Sequence, residues 1–227
     1  MHSDQLILAL DMPDDREALS WVDRFSGRIG YFKVGLQLFT AYGPPLVREI
    51  RQRGAKVFLD LKLHDIPNTV AKAVESVCQL DIQMLTLHTL GGRSMMEAAV
   101  RAASGHPQTT LLGVTVLTHL DDDDLRVLGF DHSASGQVLH LARLAKEAGL
   151  CGLVCSPQEV RHLRQQLGAD LILVTPGVRP EGSAADDQSR IATPAEAILN
   201  GSNHVVIGRP ILKASDPSAM IDSILGA

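Results

Sequence analysis

The segment Lys56-Val-Phe-Leu-Asp-Leu-Lys-Leu-His-Asp65 sets carboxylates and amines at a spacing that can build a charged site. Side chains alternate faces along a strand. Val57, Leu59, Leu61 and Leu63 suit a face covered by helices, and Phe58, Asp60, Lys62 and His64 then point the other way. A carboxylate and an ammonium aimed into an interior are costly unless paired. Asp65 follows at the strand exit, and Pro67-Asn68-Thr69 then opens a helix, with Asn68 or Thr69 as its expected cap. Asp11 ends the run Leu-Ala-Leu-Asp, and Lys33 lies on the opposite strand face from Phe32 and Val34. Two lysines interleaved with three carboxylates hold their charges without a metal. The plainer reading is an internal ion pair that only fixes a strand. A second group suits an anion: Thr175-Pro-Gly-Val-Arg179 and Ile207-Gly-Arg-Pro-Ile211. Glycine lets backbone amides approach an anion, and Arg209 can offer a bidentate fork to phosphate oxygens.

Placement decides between these readings, and it depends on the elements. β-type runs fall near Leu6–Leu10, Tyr31–Val34, Val57–Leu61, Met84–His88, Leu111–Val116, Gly152–Cys155, Leu171–Thr175 and His204–Ile207. Their starts recur about every 28 residues, close to one strand–helix unit of a barrel. Helical patterns lie between them, at Asp14–Phe25, Pro44–Arg53, Asn68–Gln79, Arg93–Ala103, Ser135–Ala148, Pro157–Leu167, Pro194–Leu199 and Pro217–Leu225. In the first, Ala18, Val22 and Phe25 share one face, and Gly54, Gly149 and Gly168 stand where helix C-caps belong. Strict alternation predicts a parallel sheet and eight units predict closure. The expected fold is therefore α/β, a single (β/α)8 TIM barrel domain over residues 1–227. In such a barrel catalytic groups gather at strand C-terminal ends, and phosphate sites follow strands seven and eight. Asp11, Lys33, Asp60, Lys62 and Asp65 are accordingly expected to converge at one mouth, beside a phosphate site built on the two glycine–arginine turns. Two connections are long, His119–Ala134 and Gly177–Ala192. The aspartates Asp121–Asp124 in the first read as a solvated helix start rather than a metal site.

Composition narrows the class of function. The 227 residues are 45% hydrophobic and 21% charged, enough apolar side chain for a sizeable core. A net charge of −5 gives no basic footprint for nucleic acid, and 4% aromatics are too few for base-stacking platforms. No apolar run is long enough to span a membrane, and the N-terminus lacks signal-peptide character. Cys78, Cys151 and Cys155 form no CxxC pair and read as buried free thiols of a cytoplasmic protein.

Several motifs together resemble the bacterial form of the orotidine 5′-phosphate decarboxylase family. They are Leu-Ala-Leu-Asp11, Lys33-Val-Gly, Asp60-Leu-Lys62-Leu-His-Asp65-Ile-Pro-Asn-Thr69, Val-Leu-Thr118, Thr-Pro-Gly-Val-Arg179, Asp-Asp-Gln188 and Gly208-Arg209-Pro. The resemblance covers nearly the whole chain, in order. It implies conversion of orotidine 5′-monophosphate to UMP and CO₂ with no metal or organic cofactor. Lys33, Asp60, Lys62 and Asp65 would form the charged array, with Lys62 protonating pyrimidine C6. Asp11, Lys33 and Thr69 would bind ribose, and Thr118 would lie near the base. Arg179, Gln188, Gly208 and Arg209 would grip phosphate, with the loop of about 179–190 closing as a lid. Asp65 and Thr69 would reach the other subunit's site, which implies a homodimer. His119 departs from the family pattern, where a small hydroxyl residue is expected. Related 3-keto-gulonate 6-phosphate decarboxylases and hexulose-phosphate synthases share the DxKxxD strand. They use Mg²⁺, with an acidic residue where Lys33 stands here. A non-catalytic nucleotide-binding barrel is a further alternative, opposed by the completeness of the charged array.

Overall fold

Short β-branched and leucine-rich runs form strands here, and the amphipathic runs between them form helices that cover the strands. The computed structural model describes residues 1–180 and 192–226. The strands are β1 (Leu6–Ala9), β2 (Tyr31–Gly35), β3 (Val57–Leu63), β4 (Met84–His88), β5 (Thr110–Val114), β6 (Gly152–Val154), β7 (Ile172–Thr175) and β8 (His204–Ile207). They pair in sequence order, all parallel, and β8 closes on β1. The helices are α1 (Asp15–Phe25), α2 (Leu36–Gln52), α3 (Pro67–Cys78), α4 (Gly92–Ala103), α5 (Asp122–Val127), α6 (Ala134–Glu147), α7 (Pro157–Leu167), α8 (Pro194–Leu199), α9 (Arg209–Leu212) and α10 (Pro217–Leu225). The chain is a (β/α)8 TIM barrel, as the spacing predicts.

Alternation along each strand splits the core in two. Outward side chains such as Phe32, Val34, Val57 and Leu59 pack under the helices, joined by Ala18, Val22 and Phe25 of α1. Inward side chains, among them Ile7, Phe58, Met84, Leu112, Val174 and Val206, fill the barrel interior. That apolar plug closes the barrel below the charged residues, so the site is a cup and not a channel. Helix ends follow local chemistry. Asp14 caps α1 by accepting from the Glu17 amide, and Gly54, Gly149 and Gly168 take positive φ at helix ends.

The structure corrects three expectations and bears out a fourth. Helix α2 starts at Leu36 rather than Pro44, broken at Gly43 (φ 60°, ψ −152°), where Pro44 and Pro45 open a second helical segment. Helix α3 is capped by Ile66 without a side-chain bond, because Pro67 already takes the first helical position; Asn68 and Thr69 are not its caps. The long connection after β5 contains α5, in which Asp121 and Asp124 form a reciprocal capping box. The aspartate run is thus a helix start, as expected. Finally, Cys78 and Cys155 are buried free thiols but Cys151 is exposed.

Candidate active site

The C-terminal ends of the strands surround a cavity of about 260 Å³. Strand alternation brings Lys33 of β2 and both Asp60 and Lys62 of β3 into it, and Asp11 enters from just beyond β1. The opposite side carries Thr118 from the segment after β5, Arg179 after β7, and Gly208 and Arg209 after β8.

Asp60 is the hub. Its Oδ1 lies 2.8 Å from Lys62 Nζ and its Oδ2 lies 3.5 Å from Lys33 Nζ. Lys33 also donates to Asp11 Oδ1 at 3.1 Å. The result is a continuous Asp11–Lys33–Asp60–Lys62 chain of alternating charge. Burial pushes the Asp60 carboxyl up, but Lys33, Lys62 and hydrogen bonds from Lys62 and Thr86 outweigh it and hold the group below its ordinary value. Asp60 therefore remains a carboxylate although its side chain is only 13% exposed.

Strand β3 does not run regularly through these residues. Its pairing with β4 goes from Leu59↔Leu85 to Leu63↔Leu87, so β3 spends extra residues over the span that holds Asp60 and Lys62. Lys62 has φ 51°, a left-handed backbone state that costs an L-residue about 1–3 kcal/mol. Sequence alternation correctly aims Asp60 and Lys62 inward, but the bulge carries the second of them.

The arginine-bearing side is built differently. Arg179 is 8% exposed, its backbone N–H donates to Ala192 O at 3.0 Å, and its Nη1 donates to Val178 O at 3.2 Å. A methyl on Gly208 would stand 3.3 Å from Ala9 Cβ and 3.5 Å from Asp11 Oδ2, crowding the end of β1. Arg209 opens the short helix α9, where proline at the next position suits a helix start.

A protein-family model for the orotidine 5′-phosphate decarboxylase / HUMPS family matches residues 4–224. The chain belongs to this family. It is 55% identical to the orotidine 5′-phosphate decarboxylase of Opitutus terrae, over 97% of this chain and 96% of that protein. It is 47% identical to the same-named protein of Moorella thermoacetica, over 99% and 92%. The crystal structure of orotidine 5′-phosphate decarboxylase from Lactobacillus acidophilus matches with a TM-score of 0.86 at 37% identity, covering 98% of this chain and 99% of that one.

Within this family member two expected site residues stand apart from the cavity, and a third lies outside the described residues. Asp65 and Thr69 are exposed and do not line it; Asp65 Oδ1 accepts from the Ile66 amide at 2.6 Å. Gln188, like most of the 179–190 loop, lies outside the described residues. His119 is exposed and is not among the residues that line the cavity. His64 also leaves the cavity, its ring set 5.4 Å from that of His88.

Sequence reasoning missed two groups on β4. Thr86, fully buried, donates to Asp60 Oδ1 at 2.9 Å and accepts from the Lys62 amide at 2.9 Å. His88 Nδ1 is buried with no hydrogen-bond partner among the described residues. Burial, then His64 and Lys62, lower the His88 pKa against the pull of Asp60, which keeps the ring neutral at neutral pH. The available signal was inward alternation from Met84, which puts residues 86 and 88 on the same face.

Proposed function

We propose that the chain decarboxylates orotidine 5′-monophosphate to UMP and CO₂ in pyrimidine biosynthesis, with its own side chains supplying the chemistry. The observation that carries this reading is a largely buried carboxylate, Asp60, held between two ammonium groups in a cavity that also receives Arg179 and Arg209. Arg179, Gly208, Arg209 and Gln188 hold the phosphate. Asp11 and Lys33 hold ribose hydroxyls, and Thr118 lies by the base. The substrate carboxylate then sits against Asp60, where like charge crowds it. The C6–carboxyl bond breaks, its electron pair stays on C6 and CO₂ leaves. Lys62 passes an Nζ proton to C6, giving UMP, and its neutral amine recovers a proton from water. A cation fixed beside the developing charge stabilises it without reorganisation during the reaction.

A divalent metal does not fit this donor set. Asp11 and Asp60 already share the Lys33 ammonium, at 3.1 and 3.5 Å. This argues against the Mg²⁺-dependent chemistry of the keto-gulonate and hexulose-phosphate branch. Asp65 and Thr69, exposed and outside their own cavity, belong in our reading to the site of a second subunit in a homodimer. The buried free thiols Cys78 and Cys155 suit a cytoplasmic location.

The test is loss of orotidylate absorbance on adding the purified chain. Turnover is expected to survive EDTA, and Lys62→Ala is expected to abolish it while still binding UMP. EDTA inhibition, or substantial turnover by Lys62→Ala, would overturn the reading.

A further inference from the structure

We propose that the Thr86 hydroxyl is a positioning group for the reaction: it locks the β3 bulge so that Lys62 and Asp60 meet the substrate in one fixed geometry. The inference rests on the decarboxylase reading above and deepens it. A single hydroxyl joins the two reacting side chains by different routes. It donates to the Asp60 carboxylate and accepts from the backbone N–H of Lys62, both at 2.9 Å. The second bond takes the place of a ladder bond. Between Leu59↔Leu85 and Leu63↔Leu87 the β3–β4 register shifts, and the Lys62 amide finds its acceptor in a side chain of β4 rather than in that strand's backbone. Lys62 sits there with φ 51°, a state that persists only where surroundings impose it.

Without the hydroxyl, the Lys62 amide loses its acceptor and the backbone is released to relax toward a regular strand. Such a strand needs no left-handed residue, so the relaxation redirects the Lys62 side chain. Asp60 at the same time keeps its bond from Lys62 but loses the donor that fixes its rotation. A methyl cannot substitute, whereas any hydroxyl of the same reach can. The groups facing Asp60 are Lys33 from β2, Lys62 on its own strand, and Thr86 and His88 from β4. Asp11 faces it through Lys33.

Three variants separate the hydroxyl from the packing of the side chain. Thr86→Val keeps the shape and loses the hydroxyl; Thr86→Ser keeps the hydroxyl and loses the methyl; Thr86→Ala loses both. Steady-state kinetics on orotidylate should show kcat for Thr86→Val and Thr86→Ala falling by about 100-fold, the scale of a small misplacement of reacting groups. KM should stay within about threefold, since the phosphate and ribose contacts are untouched. Thr86→Ser should recover most of the loss, and the acid limb of kcat/KM should move to higher pH in Thr86→Val and Thr86→Ala but not in Thr86→Ser. A packing role gives the reverse order, with Thr86→Ser the more damaged. That order, near wild-type kcat in Thr86→Val, or failure of both hydroxyl-free variants to fold would each overturn the proposal. Absence of turnover in the wild-type chain would instead count against the decarboxylase reading itself.

Discussion

Asp60 is held ionised at a place where burial raises its pKa, and the two flanking lysines are the main reason. Removing any one charge leaves its neighbours uncompensated, which costs more than the pair contributes when intact. The sign of the pH effect follows from the lowered carboxyl pKa. A group depressed in the folded state adds stability that is complete above its unfolded value, about 3.9 for aspartate. That stability disappears as pH falls through the lower folded value. Asp60→Asn mimics the protonated side chain at every pH. Urea midpoints should therefore show wild type more stable than Asp60→Asn at neutral pH, with the gap closing only under acid. A gap of constant size from neutral to acid pH would contradict the account. The charge pattern was readable in sequence because alternation fixes faces and charged residues on an inward face need partners. Thr86 was not, since a threonine in a strand is ordinary β-branched filling until its partner across the ladder is known.

At the level of elements, strand spacing and type alternation carried the barrel, because each strand–helix unit repeats at a near-constant length. Local irregularities escaped. The β3 bulge exists only as a relation to β4, and neither the sequence of β3 nor that of β4 contains it alone. The aspartates Asp121–Asp124 read as a helix start, but the extent of the short helix α5 that they cap was hidden in a long polar connection. Close packing inside the barrel is a further relation between strands. Gly152 of β6 pairs with Leu112 of β5 and Ile172 of β7, all facing inward. A Cβ there would lie 2.5 Å from Leu112 Cδ2 and 2.8 Å from the Ile172 carbonyl oxygen. Leu112 can rotate, but the carbonyl belongs to the sheet and cannot. Overpacking of this kind costs about 1–3 kcal/mol, against at most about 1 kcal/mol regained from a stiffer unfolded chain. Gly152→Ala should lower the thermal midpoint by several degrees, on a scale of about 2–4 °C per kcal/mol. An unchanged or raised midpoint would show that the barrel can expand at β6.

For the whole molecule, three of the six exposed large apolar side chains among the described residues share one rim, while Val127, Leu128 and Leu199 lie elsewhere. Leu36, Ile66 and Leu90 are 57%, 68% and 43% exposed. Each follows the end of a consecutive strand, β2, β3 and β4, on the rim that also bears Asp65 and Thr69. A rim with apolar groups between polar ones suits a twofold contact in which each chain presents the same patch. Under the homodimer proposed above, Asp65 from one chain then completes the cavity of the other. Complementation tests this directly. Lys62→Ala and Asp65→Ala chains, each inactive alone, are mixed and allowed to exchange subunits, with the heterodimer fraction followed by native mass spectrometry. In a heterodimer one cavity receives both mutations. The other combines Lys62 of the Asp65→Ala chain with Asp65 of the Lys62→Ala chain. Random pairing makes about half the dimers mixed, so activity should return to about one quarter of wild type. Demonstrated exchange without recovery would place Asp65 in its own chain's site or outside the chemistry altogether.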